Sequence, residues 1–415
     1  MIRPHWILTL GLLVAFSAVL PLSVGAELPA RVAASASNYR FGLRLSRKLG
    51  ELQPDANVAV SPLLVQAALT LLYAEANPDS TRGLGQALDL QATFSPKGAI
   101  NGVEALLSDL KHSAAVGCRL RLLSDFYTQQ RFTFTFRDEF EALASHLGIG
   151  CHRLGWESSA KAAQDINYDF LSRSNFSVGE MVTSSQLESL GADYTPFLHV
   201  SAVTFSAPWA QGFDPAETQD INFFVAGSRP KLVPAMFGQH RYRYAEVSAL
   251  DAQLIEVPFA TADLSLLIIF PNQVDGLARL EHQLEKYDLL QLRAQLEERK
   301  VALTVPKFRT LAHSDLTGAL KQLGLAKLFS SDVQLVEVFS SILASSAPPL
   351  GAVVQSSLLE IQEKGGTDGD SFCKKSFERS IHECPITCCS CSLWGSVPKS
   401  PAPGHQSPVL LCHRQ

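Results

Sequence analysis

Residues 38–49 carry apolar side chains at helical spacing, with Phe41, Leu45 and Leu49 repeating every fourth position. Pro62–Ala74 is almost wholly apolar and too short to cross a membrane, which predicts a buried helix. Ser61 stands before it as an N-cap residue, with proline at the first helical position, where a missing N–H costs nothing. An amphipathic face through Phe140, Leu143, Ala144 and Leu147 predicts a helix over 138–147. Further helices are predicted over 160–171 and 277–296. Strand signals are as clear: 197–205 is rich in β-formers, and 301–305 alternates. The run 264–270, closed by Pro271, reads as a strand buried on both faces. Long helices and strands mix without a βαβ repeat, which predicts an α+β domain with largely antiparallel sheets.

Targeting signals sharpen this picture. Arg3, the apolar run from Trp6 to Leu20 and the small residues Val24, Gly25 and Ala26 read as a secretory signal peptide over residues 1–26. The rest is long enough for two or three domains, yet no linker interrupts 38–362, so one large mixed domain fits equally well. The net charge of −5 and the lack of any Lys/Arg cluster argue against nucleic acid or polyanions as obligatory partners. The expected mature protein is soluble, secreted and extracellular, with no membrane partner.

Candidate chemistry is sparse. Of 8 cysteines, only Cys118 and Cys151 precede residue 372, so the main domain does not depend on disulfides; whether these two pair is left open. The tail cluster Cys384, Cys388, Cys389 and Cys391 lacks a second ligand pair at zinc-finger spacing, and no metal site is expected. Gly369-Asp370-Ser371 looks like the nucleophile region of trypsin-like proteases. Phe372 follows where glycine is needed, however, and no supporting His/Asp elements accompany it. Asn175-Phe176-Ser177 is the sole N-glycosylation sequon and is expected to be occupied in a secreted chain.

Several segments, in order, resemble the serpin family over residues 39–366. They are Asn57-Val-Ala-Val-Ser-Pro62 with Ala68 to Ala74, Val203-Thr-Phe205 with Trp209, Phe213 and Thr218, and Glu256-Val-Pro258. The strand ending at Pro271, Val305-Pro-Lys-Phe308 and Leu323 to Phe329 complete the set. The resemblance implies a serpin fold of three mainly antiparallel β-sheets, about nine helices and an exposed reactive-centre loop. It divides the chain into signal peptide 1–26, serpin domain 27–370, and loop remainder with a Cys/Pro-rich tail over 371–415. It also implies a suicide-substrate inhibitor of serine endopeptidases, not an enzyme. A protease cleaves the loop, is trapped covalently, and the loop inserts as a strand, driven by β-augmentation and released strain. No cofactor is implied, and the expected form is a monomer acting on extracellular trypsin-like proteases. The alternative is a non-inhibitory serpin acting as a binding or carrier protein.

The family's shutter and breach map onto Ser61, Ser201, Gln355 and Trp209, with departures. Leu64 replaces a polar residue, Ser201 an asparagine and Gln355 a histidine. A buried polar network has to be satisfied as a set. Either Ser61, Ser201 and Gln355 form a differently paired, complete network, or Gln355 is solvated.

The hinge reads Glu363-Lys364-Gly365-Gly366-Thr367-Asp368-Gly369-Asp370. Insertion buries every second side chain. If Gly365 takes the family's hinge-glycine position, the buried set is Gly366, Asp368, Asp370 and Phe372, and two carboxylates oppose insertion. If Gly366 takes it, the set is Thr367, Gly369, Ser371 and Cys373, all small. We favour the second register, with its extra residue absorbed by a bulge at the glycine pair. The usual spacing puts the scissile bond beside Arg379 in the first register and Ser380 in the second. Arg379-Ser380 is therefore the expected bait, with Lys374 and Lys375 as competitors. Beyond Ser371 the strands that complete a serpin are not recognisable, and 398–408 is Pro/Ser-rich.

Overall fold

The computed structural model describes residues 28–54, 56–75, 78–90, 95–114, 118–130, 135–155, 157–190, 197–223, 230–260, 264–330, 335, 337–340, 348–365 and 411–413. The signal peptide, Gly366, Thr367, Gly369 and the Arg379-Ser380 bait lie outside them.

The elements run α1 (Leu28–Leu52), α2 (Pro62–Ala74), α3 (Pro78–Ala87), α4 (Pro96–Ala114), β1 (Arg119–Gln129), β2 (Thr135–Phe136), α5 (Asp138–His146), β3 (Gly150–Leu154), α6 (Ser159–Arg173), α7 (Ser184–Ser189) and β4 (Phe197–Ser206). There follow β5 (Gln219–Phe223), β6 (Lys231–Val247), β7 (Ala252–Pro258), β8 (Ser265–Pro271), α8 (Leu277–Leu284), α9 (Leu289–Ala294), β9 (Glu297–Pro306), β10 (Phe308–Asp315), α10 (Thr317–Leu320), β11 (Phe339–Ser340), β12 (Leu350–Ile361) and β13 (Leu411–His413).

The largely apolar α2 ends up inside the molecule: Leu64 to Leu72 are all buried. It lies behind a five-stranded sheet ordered β10-β12-β4-β1-β3. Phe126 of β1 and Phe197 of β4 stack at 5.0 Å and join Phe136, Phe140 and Phe339 in the core beneath this sheet. Each such ring or aliphatic side chain contributes about 1.5–3 kcal/mol on burial. The opposite face is covered by α6 and α7, started by Ser158, which caps Lys161 N–H at 3.1 Å, and by the Thr183/Gln186 capping box. A second sheet is ordered β13-β9-β6-β7-β8 with β5 beside β6, and β2 pairs with β11 in a third.

The expected α+β architecture of three sheets is present, with ten α-helices among the described residues. Five readings change in detail. The predicted 38–49 helix is the middle of the longer α1. The predicted 277–296 helix is two helices, because the Asp288 side chain accepts from Leu290 N–H at 2.7 Å and starts α9 afresh. Ser61 sits at the N-cap of α2 without a side-chain cap bond. The 301–305 strand does not alternate in burial: β9 is buried on both faces from Val301 to Pro306. The central sheet is mixed, since β12 runs parallel to β4 and β1 parallel to β3. Cys118 and Cys151 are free. Cys151 lies opposite Phe126, eight residues along the strand from Cys118, or roughly 26 Å.

Candidate functional site

The site grows out of the seam between β4 and β12. These parallel neighbours pair from Leu350 opposite Phe197 to Leu359 opposite Phe205, with Gln355 facing Ser201 midway. Gln355 is 0% exposed. Its Nε2 donates to Ser201 Oγ at 3.1 Å and to the Ser61 carbonyl at 3.2 Å, while Ser61 N–H donates to its Oε1 at 2.5 Å. One amide thus ties both strands to the entry of α2. The network is the complete one, and the reading of a solvated Gln355 is excluded. Ser61 contributes its backbone rather than its hydroxyl.

The same face carries a pair that sequence reasoning missed. Ser124 lies opposite Ser201, and its hydroxyl meets His199 Nε2 at 2.9 Å. The His199 ring packs on Phe126 at 5.1 Å, and burial pushes its pKa down to about 4, so it is neutral at physiological pH. The signal was available: strand parity puts His199 on the face of Ser201.

The hinge forms the upper end of the seam. Trp209 stacks on Phe259 at 4.7 Å and donates Nε1–H to the Gln362 carbonyl at 2.8 Å. Trp209 N–H reaches the Lys364 carbonyl at 3.2 Å, and Phe213 N–H the Glu363 carbonyl at 2.8 Å. Gln362 N–H donates to the Gly365 carbonyl at 3.1 Å and Gly365 N–H to the Gln362 carbonyl at 2.9 Å, enclosing a two-residue turn at Glu363-Lys364. Gly365 has φ +99°, and an added Cβ would come within 2.0 Å of the Ala207 carbonyl oxygen. Only glycine fits.

Glu363 is 8% exposed. It accepts from Thr218 Oγ1 at 3.0 Å, and Lys307 Nζ lies 3.1 Å from Oε1 and 3.0 Å from Oε2. Burial raises its pKa, but its own backbone N–H, Lys307 and Thr218 outweigh that and hold the carboxyl below its usual value. Asn175 is exposed just after α6, at φ +56°.

A strand entering at this seam has to part β4 from β12, which breaks their ladder and the Gln355 clamp. The seam is closed.

Residues 36–381 match the profile of the serpin (serine protease inhibitor) family. The chain is a serpin. This serpin is 27% identical to alaserpin of Manduca sexta over 336 residues, covering 79% of this chain and 81% of that protein. Serpin48 of Tenebrio molitor superposes with a TM-score of 0.71 at 22% identity, over 86% of this chain and 90% of that one. Human thyroxine-binding globulin in complex with thyroxine gives a TM-score of 0.72 at 19% identity, over 92% and 94% of the two chains. Serpins are generally protease inhibitors rather than catalysts. The family match runs past the hinge and takes in Arg379 and Ser380, 11 residues beyond the expected domain end at 370.

Proposed function

We propose that this protein is an extracellular, non-inhibitory serpin of the binding or carrier type. Its loop is cut by trypsin-like serine proteases at Arg379-Ser380 without trapping them. The observation that carries this reading is the reciprocal pair between Gln362 and Gly365. Residues opposite each other in an antiparallel pair share a face of the sheet. In an inserted strand that kept the register of that pair, Gly366 would fall opposite Ile361, Asp368 opposite Leu359, Asp370 opposite Ser357 and Phe372 opposite Gln355. Ile361 and Leu359 belong to the core behind the sheet, and Gln355 is the clamp itself.

Insertion would therefore drive two aspartates into an apolar layer and a phenyl ring against the clamp. Each unpaired carboxylate would cost several kcal/mol or be forced to protonate. The left-handed turn at Gly365 supports it as the hinge glycine, which reverses the preference for the Gly366 register and its small buried set. The Gly365 register also carries the usual hinge-to-bait spacing to Arg379, whose side chain suits the acidic pocket of a trypsin-like protease.

A second reading, an inhibitor that traps its protease, is favoured by the closed sheet with a satisfied clamp, the arrangement into which a loop would insert. Incubation with trypsin separates the two. The expected result is cleavage after Arg379, identified by mass spectrometry, with no SDS-stable complex and no rise in melting temperature. An SDS-stable complex would overturn the proposal in favour of the inhibitor. Expression through a secretory pathway tests the location: a mature N terminus at Glu27 and a glycan on Asn175 are expected.

A further inference from the structure

We propose that a cavity at the end of the β4–β12 seam far from the hinge binds a free α-amino acid with an apolar side chain. Its floor is a face of the central sheet. Leu198 and Val200 of β4 and Ala352 and Val354 of β12 line it, each pair two residues apart on its strand and so on one face. Leu187 of α7 and Leu190, the C-cap residue of that helix, line it from the helical side. The cavity holds about 160 Å³. That is close to the roughly 150 Å³ of an apolar cavity known to take up benzene, and below the range of about 300–1,000 Å³ usual for larger ligands. It suits one isobutyl or benzyl group.

Two charges of opposite sign share this cavity. Asp315 at the end of β10 and Lys321 directly after α10 both line it, and both are exposed to solvent. Asp315 Oδ1 accepts from Thr317 N–H at 2.9 Å, and the Lys321 ammonium lies 5.4 Å from the centre of the Phe329 ring. Among the described residues neither forms an ion pair, with the other or with any third charge. An ammonium over a ring face keeps N–H donors free for an anion. Gln186 of α7 adds a third polar group to the lining. Its Oε1 accepts from the N–H and hydroxyl of Thr183 at 2.8 and 3.2 Å, which leaves Nε2 as a donor.

This combination selects the ligand. A plain carboxylic acid would be attracted by Lys321 and repelled by Asp315, and a plain amine would meet the reverse. A zwitterion with an apolar side chain answers both. Its ammonium goes to Asp315, its carboxylate to Lys321 and Gln186, and its side chain onto the apolar floor. The residues that do this belong to the sheet, α7 and the start of the segment after α10. None belongs to the hinge, so the site is the same whether the loop traps a protease or is merely cut.

Isothermal titration calorimetry of the full-length protein tests the proposal. The probes are L-leucine and L-phenylalanine, with glycine, N-acetyl-leucine and leucinamide for comparison. Saturable binding of leucine or phenylalanine is expected, and none of glycine, which lacks the apolar group. Blocking either charge of leucine should weaken binding roughly tenfold, the contribution of one charge-assisted contact.

The variants separate the two ends of the ligand. Asp315→Asn is expected to erase the preference for leucine over N-acetyl-leucine, and Lys321→Gln the preference over leucinamide. Both side chains are exposed, so both variants should fold. Ala352→Leu, which fills the floor, should abolish binding in a protein whose folded state is checked by circular dichroism. Absence of binding by both amino acids, glycine binding as tightly as leucine, or an unchanged preference in either charge variant would overturn the proposal.

Discussion

Gln362 and Gly365 bond to each other twice, N–H to carbonyl in both directions, at 3.1 and 2.9 Å. That pair sets the direction in which the chain leaves β12 and, by alternation, which loop side chains would face inward. It rests on a glycine that nothing else can replace. Gly365→Ala is expected to lower stability by roughly 2–4 kcal/mol, from a left-handed backbone and a Cβ driven into the Ala207 carbonyl. Urea denaturation measures it; an unchanged midpoint would remove the turn from the account.

Glu363 fastens the turn to Lys307 and Thr218. Its partner Lys307 is 38% exposed, so Glu363→Gln should cost only about 1 kcal/mol at neutral pH. The folded-state pKa is depressed, so this contribution is present above the unfolded carboxyl value and is lost as pH falls through the lower folded one. The stability gap between wild type and variant should therefore shrink below about pH 4.3. A gap that widens on acidification contradicts the ion pair.

Gln355 satisfies three groups at once: Ser61 N–H, the Ser61 carbonyl and the Ser201 hydroxyl. Gln355→Ala strands them at a layer where Ser201 is fully buried and Ser61 half-buried, and leaves a cavity. A loss of about 2–4 kcal/mol is expected, with faster parting of β4 from β12. Thermal unfolding, together with gel-filtration analysis of heated samples for strand-exchanged oligomers, checks both halves.

His199 is buried neutral with its pKa lowered to about 4, while in the unfolded chain it titrates near the ordinary histidine value of about 6.5. Between those values the unfolded state binds more protons, so stability is full above pH 6.5 and drains as pH falls toward 4. The slope from this group approaches at most about 1.4 kcal/mol per pH unit. His199→Gln should flatten that part of the stability curve between pH 6.5 and 4.5. Parallel curves for variant and wild type would count against a buried neutral imidazole.

Much of this fold is legible in the sequence for local reasons. The apolar run of α2 is bounded by Ser61 and Pro62, and β8 has no polar side chain between Leu266 and Phe270. The break at Asp288 escapes because the apolar spacing continues across it, and only a side-chain bond to Leu290 N–H reveals the second start. The Ser61 hydroxyl makes no cap bond, and capping propensity cannot foresee that Gln355, 294 residues later, takes the Ser61 backbone N–H. The choice between Gly365 and Gly366 turns on which residue meets Ala207 and Pro208, a contact between distant segments. Parity along β4 does make His199 readable, once Ser201 is known to face inward.

The two unpaired cysteines have a practical consequence for labelling chemistry. Burial pushes the thiol of Cys118 up to about 11 and that of Cys151 up to about 12, so both stay protonated and slow toward electrophiles at neutral pH. The other six cysteines all follow residue 372. A maleimide taken up quickly by the native protein therefore reports on the chain beyond the hinge. The slowness of Cys118 and Cys151 turns a thiol count into a selective probe of the residues after 372.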